Sequence, residues 1–235
     1  MTQIVRPDAR YQRSYLEALD EFDGAHRDGD GVLELAADPT TGFAGHDFTR
    51  EGLEDPEEFR RLVQARRADE LPETPRPAHF VPCTYLWIVE GDTYLGSISF
   101  RHELTDFLLE QGGHIGYSVR PSARRQGHAS TALRQVLELA AEMGRVAVPV
   151  CAHRHFSASG SLMTWLGAGR TVLVRDSAYA REIDAWLPGR VTWLPDGGWR
   201  DAVDRHVPEQ LDPPRYGWAE VAERWEETWR FAGLM

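Results

Sequence analysis

From residue 79 onward the chain changes its hydrophobic period, and this change narrows the possible folds more than any other feature. Phe80 to Glu90 is rich in β-forming residues, Gly91-Asp92 reads as a turn, and Tyr94 to Phe100 follows, which predicts a hairpin. Gly112-Gly113 precedes a third predicted strand, His114 to Val119. A helix follows in which Ala132, Leu133, Val136, Leu137 and Ala140 mark one face, closed by Gly144. Val146 to Cys151 reads as a buried strand, Ser157 to Gly167 as a short helix and Thr171 to Val174 as another strand. Strand, strand, strand, helix, strand, helix, strand predicts an α/β (α+β) domain whose mixed, mostly antiparallel sheet is flanked by helices.

On either side of this core the texture differs. Tyr11, Tyr15, Leu16, Leu19 and Phe22 recur at helical spacing, and the glycines from Gly24 end that stretch. Ala25 to Phe48 reads as a long loop. Asp55-Pro56-Glu57-Glu58 starts a second helix, with an N-cap acid, a first-turn proline and acids set against the dipole. That helix stops before the Pro72/Pro75/Pro77 cluster, a rigid connector. Residues 195 to 217 are predicted to be irregular, and Trp218, Val221, Ala222, Trp225 and Trp229 form a stripe read as a terminal helix packed on the domain.

Charge and composition exclude several roles. Twenty-six basic against 37 acidic residues leave a net charge of −11, so the chain repels nucleic acid instead of presenting a basic stripe to it. No apolar run is long enough for a membrane helix, and the polar start Met1-Thr2-Gln3-Ile4-Val5-Arg6-Pro7-Asp8 lacks the apolar stretch of an export signal. Cys83 and Cys151 make no disulfide framework, so the expected setting is a reducing cytoplasm. Every basic residue is arginine, and neither lysine nor asparagine occurs. No mechanism here uses a lysine Schiff base or an asparagine side chain.

The segment that carries chemistry is Val119-Arg120-Pro121-Ser122-Ala123-Arg124-Arg125-Gln126-Gly127-His128-Ala129-Ser130, between a predicted strand and a predicted helix. Free N–H groups at a helix N-terminus, aligned with a positive dipole, make an anion cradle. Gly127 and Ala129 are expected to allow close approach, and Arg124 and Arg125 add positive charge to an acidic protein.

Arg124-x-x-Gly127-x-Ala129 after Val119 resembles the Q/R-x-x-G-x-G/A motif of the GNAT (Gcn5-related) N-acetyltransferases, and the element order around it fits as well. Leu95-Gly96-Ser97-Ile98-Ser99-Phe100-Arg101-His102-Glu103-Leu104 with Gly112 to Pro121 is similar to a bacterial branch of predicted acetyltransferases with unassigned substrate. The resemblance spans roughly residues 79–176 and does not cover the tail. It implies a GNAT fold with a sheet splayed between its two central parallel strands. The expected division is an acetyltransferase domain over 1–195, with its core at 79–176, and an extension over 196–235.

The resemblance also implies acetyl-CoA as co-substrate. Its pyrophosphate would lie on backbone N–H groups of Arg125, Gln126, Gly127, His128, Ala129 and Ser130, with Arg124 in the same motif. Its pantetheine arm would pair like a strand with Tyr117, Ser118 and Val119. Pro149 fits a splay independently, since proline is tolerated where ladder partners are missing. Two departures stand out. The places where many members carry an Asn and a Tyr general acid hold Phe156 and Met163, neither a proton donor. A thiolate leaving group can take its proton from water.

Transfer to an amine needs a base. His102, Glu103, Glu110, His114, Cys151 and His153 are candidates, with His114 favoured as base and Glu103 as binder of a cationic acceptor. Cys151-x-His153-x-His155 would face one side of a strand as metal ligands do, but no fourth ligand is visible and no metal is expected. The leading reading is acetyl transfer to the primary amine of a small cationic molecule. Acetylation of a protein N-terminus or side chain, and a catalytically weak CoA-binding sensor or scaffold, are the alternatives. No nucleic-acid or membrane partner is expected, and a homodimer is allowed.

Overall fold

A computed structural model describes residues 1–103, 105, 107–108, 113–143, 150–151, 160–195, 199–205 and 211. Two sheets organise them. The first contains β1 (Gln3–Val5), β4 (Cys83–Glu90), β5 (Thr93–Arg101) and β6 (Ile115–Val119), in that order and antiparallel throughout. The second is parallel, with β7 (Val150–Cys151), β8 (Val172–Arg175) and β9 (Val191–Leu194). Parallel neighbours require crossovers, supplied by α4 (Gly160–Gly167) and α5 (Ala178–Trp186). Among the described residues no ladder joins the two sheets. A two-residue hairpin, β2 (Glu34–Leu35) with β3 (His46–Asp47), stands apart.

Alternation along β4 divides the core in two. Leu86 and Ile88 face one way with Ile98 and Phe100 of β5, against α3 (His128–Glu142), α4 and β8. Trp87 and Val89 face the other way with Tyr94, against α1 (Gln12–Phe22) and α2 (Pro56–Ala68). Trp87 is 1% exposed and stacks at 5.2 Å on Tyr15, with Tyr11, Tyr94 and Phe59 at edge or tilt around it. Aromatic packing holds this side together around Trp87.

The helix signals behave as their chemistry requires. Asp55 accepts from the Glu57 N–H at 2.7 Å ahead of Pro56 in the first turn, as a capping acid should. Three expectations are revised. The stretch 25–48 is not loop throughout, since it holds β2 and β3. The span predicted to be irregular from 195 contains the short helix α6 (Trp199–Arg205). The edge strand β1 was not foreseen, because three residues carry no measurable period; it forms because β4 offers an unpaired edge. Pro149, Phe156 and the tryptophan stripe of the tail lie outside the described residues. No described helix is long and apolar enough to cross a membrane.

One ion pair ties α1 to the end of β6. Arg120, 8% exposed, donates from Nε to Glu21 Oε1 at 2.9 Å and from Nη1 to the Tyr94 carbonyl at 3.1 Å. Glu21 also accepts from the Ser122 N–H at 3.1 Å. The Arg120 guanidinium holds the Glu21 carboxyl down at about 2, although partial burial pushes the other way. A depressed carboxyl stabilises the fold fully above its unfolded value of 4.5 and loses that contribution as pH falls toward about 2. Glu21→Gln is expected to cost about 1–2 kcal/mol at pH 7, allowing for solvent screening. The gap should close between pH 4.5 and 2, as read by urea midpoints across pH.

Candidate active site

The segment after β6 folds into a shallow cradle. Pro121–Ala123 makes a single 3-10 turn, and Arg124 bends back so that its Nε donates to the Val119 carbonyl at 3.0 Å. The Arg124 guanidinium also lies 5.9 Å from the centre of the Phe22 ring, joining the strand end to α1. Arg125 and Gly127 then take left-handed φ values of +61° and +82°. Left-handed residues spaced this closely turn successive N–H groups to one side, and α3 begins immediately after them. No described residue accepts a hydrogen bond from the backbone N–H groups of residues 125–130. A Cβ built on Gly127 would meet nothing within 4 Å, so the glycine serves the backbone conformation and leaves open space in front of it.

A cavity of about 540 Å³ lies along this cradle. Tyr117, Ser118 and Val119 form its strand wall, and Arg124, Arg125, Gly127, His128, Ala129 and Ser130 its loop wall. Gln126 is the one expected residue off the wall; it is exposed and donates to the Ser122 carbonyl at 3.2 Å. The His128 ring is turned inward, with Nδ1 2.7 Å from Thr2 Oγ1, so only its backbone is available to a ligand in the cradle. Ser118 Oγ is buried and has no hydrogen-bond partner among the described residues. A groove wall of free N–H groups beside Ser118 suits a polar, anionic ligand.

Opposite the strand wall lies the loop after α1. Asp30 is 2% exposed and draws three elements together. It accepts from Tyr15 of α1 and from Ser97 of β5, each at 2.7 Å, and pairs with Arg27 Nη1 at 2.7 Å. Burial first, then the Asp30 charge, drives the Tyr15 and Tyr94 phenols well above their ordinary range, so they remain protonated donors. Gly29 is pressed onto β6: its φ is +82°, and a Cβ there would lie 2.8 Å from the Tyr117 Cα and closer still to the Gly116 carbonyl. No other residue satisfies both the conformation and the approach.

Behind this loop a second cavity, of about 810 Å³, runs over the face of the sheet carrying Cys83, Tyr85, Ser99 and Arg101. The two cavities share Phe22, His26 and Asp28. At that junction His26 Nε2 lies 3.0 Å from Asp28 Oδ1. With Nε2–H donating to the carboxylate, the imidazole presents Nδ1 as an acceptor.

Glu103 and His114 stand on neither of these walls. Glu103 is exposed on the bend after β5. His114 is half-buried, its Nδ1 3.1 Å from the Arg101 carbonyl and its ring tilted against Phe100. His102 turns to Thr84 Oγ1 at 2.8 Å, on the opposite face from Cys83 and Tyr85. Between Glu103 and His114, Phe107 and Leu108 line the second cavity, while Glu110 lies outside the described residues. Met163 packs against the core cluster between the sheet and α3. Burial pushes the Cys83 thiol up to about 12, which makes it a poor nucleophile at neutral pH. His153 and His155 lie outside the described residues, among which no three His, Cys, Asp or Glu side chains cluster as metal ligands.

The sequence reading missed His26, Asp28, Gly29 and Asp30. The available signal was the run His26-Arg27-Asp28-Gly29-Asp30-Gly31, where glycines on either side of an aspartate mark a backbone pressed close to something else.

Three comparisons bear on what this geometry belongs to. Among solved structures, the chain is similar to the microcin C7 self-immunity acetyltransferase MccE in complex with acetyl-CoA and AMP. The TM-score is 0.42 at 12% identity, over 72% of this chain and 78% of that one. It is similar, at TM-score 0.42 and 14% identity over 72% and 80%, to the Salmonella typhimurium acetyl transferase that modifies the N-terminal serine of ribosomal protein L7/L12. RimL, the ribosomal alpha-N-protein acetyltransferase, in complex with coenzyme A gives 0.37 at 14% over 62% and 66%. A search of curated proteins finds no match. The family assignment rests on none of these, but on the model of the acetyltransferase (GNAT) domain, which matches residues 23–169. That span is more than half of the 235 residues and takes in the Asp30 loop and the cradle, and by it the chain belongs to the GNAT acetyltransferases.

Proposed function

We propose that this enzyme transfers an acetyl group from acetyl-CoA directly to a primary amine of a small acceptor that is cationic through its ammonium group. The observation that carries the reading is the shared wall of Phe22, His26 and Asp28, where the cradle cavity opens onto the second cavity. Two substrates that must exchange a group need such a meeting point. Bound acetyl-CoA would supply a thioester whose carbonyl carbon gains the C–N bond as the C–S bond breaks, with the electron pair leaving on sulfur. Of the two protons the ammonium loses, one ends on the CoA thiol and one reaches solvent.

In this proposal the N–H groups of 125–130 and the Ser118 hydroxyl hold the donor, and Arg124 and Arg125 add charge to the cradle. The same reading takes residues 1–195 as the catalytic domain and 196–235 as an extension to it. Proton removal from the ammonium is the one step for which sequence and geometry name different residues. Glu103 and His114 are the sequence's candidates, whereas His26 stands at the junction with an acceptor nitrogen free and Asp28 orienting its ring.

Two measurements test this reading. By calorimetry, Gly127→Glu should weaken CoA binding by more than about 100-fold, since it puts a carboxylate into an anion site. Arg125→Ala should weaken it only about 3- to 10-fold. Unchanged affinity in Gly127→Glu would remove the donor site from this loop. In steady-state kinetics, His26→Gln should lower kcat by about 100-fold with little change in acceptor KM, the size of a lost general base. His114→Ala and Glu103→Gln should stay within about threefold of the parent in both parameters. The reverse pattern would return the base to the end of β5.

A further inference from the structure

The second cavity carries an unusual share of the protein's exposed apolar surface. Seven large hydrophobic side chains are exposed among the described residues, and three of them, Val32, Phe80 and Phe107, line this one cavity. Phe107 is 66% and Phe80 40% exposed. Exposed aromatics gathered around one concavity are a marker of a ligand wall, since scattered single residues would be the ordinary pattern. Phe22 and Tyr85 continue the apolar lining inward.

The charges on the same walls largely cancel. Asp20 is held by Arg50 through two contacts of 2.7 and 2.9 Å, and Arg27 is committed to the buried Asp30. Asp28 accepts from His26 at the junction. Arg101 donates to the Gly113 carbonyl at 3.0 Å. A cavity built for a polyamine would carry unneutralised carboxylates along its length, as charge steering requires. Here His26 and Asp28 stand at the end that meets the donor cavity, Asp23 and His79 also line the chamber, and the rings of Phe80, Tyr85 and Phe107 supply its apolar wall.

We propose that the acceptor is a small-molecule arylalkylamine: a primary amine seated at His26 and Asp28, carried on an apolar, ring-bearing body that fills the cavity between Phe80, Phe107 and Tyr85. The proposal rests on the acetyl-transfer reading above. A volume of about 810 Å³ falls within the range of small-ligand pockets, and its concave walls suit a compact ring more than an extended chain.

The test compares acceptors at saturating acetyl-CoA, with CoA affinity measured separately by calorimetry. Phenylethylamine and tryptamine are expected to exceed spermidine in kcat/KM by at least about tenfold. Phe80→Ala and Phe107→Ala should each raise the KM for tryptamine about 3- to 10-fold, with kcat and CoA affinity nearly unchanged, because the ring contacts are made equally in ground and transition states. Both phenylalanines are partly exposed, so these variants should fold, which a thermal melt checks. Preference for spermidine, faster acetylation of a serine-initiated peptide, or no turnover of either arylamine while CoA still binds would each overturn the acceptor class and leave the donor site standing. Absence of CoA binding would overturn the acetyl-transfer reading itself, and this proposal with it.

Discussion

A buried carboxylate is tolerated only if its neighbours replace the water it has lost, and Asp30 is the residue around which the catalytic half of this molecule is arranged. Its partners come from α1, from β5 and from its own loop, so satisfying one charge fixes the mutual position of all three. Tyr15 and Tyr94 can serve because their burial suppresses ionisation and keeps them donors. Removing any partner would leave charge or hydroxyl uncompensated inside the protein, a cost far above that of a surface contact. The loop after α1 is therefore a structural wall, although its glycines and aspartates give it the composition of a flexible connector.

Two cavities result from where that wall lands. Gly29 brings the backbone against Gly116 and Tyr117 of β6, and the contact separates a groove along the strand end from a larger chamber over β4 and β5. The separation is incomplete at Phe22, His26 and Asp28, which belong to both. Arg120 and Glu21 brace the same region from the other side, fixing the end of α1 to the start of the cradle. An overall charge of −11 is compatible with the proposed anion site because Arg124, Arg125 and free N–H groups would act at contact distance, whereas the net charge is spread over the surface and screened by salt.

Legibility in the sequence followed the range of the interaction. The hairpin of β4 and β5, strand β6 and helix α3 were readable because alternation, glycine turns and an apolar face are local patterns. The Arg124-x-x-Gly127-x-Ala129 segment was readable for the same reason, since a strand, a turn and a helix N-terminus follow one another along the chain. Strand β1 was not, because a three-residue edge exists only through its partner β4. His114 is the residue at the head of the motif strand and Glu103 the one just after the hairpin; in the fold β5 ends at Arg101, and His114 is engaged with the Arg101 carbonyl.

What the sequence determined by itself was thus the run from the β4–β5 hairpin through β6 to α3, the resemblance to the family and the strand–turn–helix loop proposed to cradle an anion, all carried by neighbours within about a dozen residues. Only the tertiary structure decided which side chains face that loop. His26 and Asp28 reach the groove through a buried aspartate 67 residues from its serine partner and a glycine pressed on a strand late in the chain. The free energy that sets such a contact comes from desolvating a charge and packing a backbone. Neither leaves a period in the sequence.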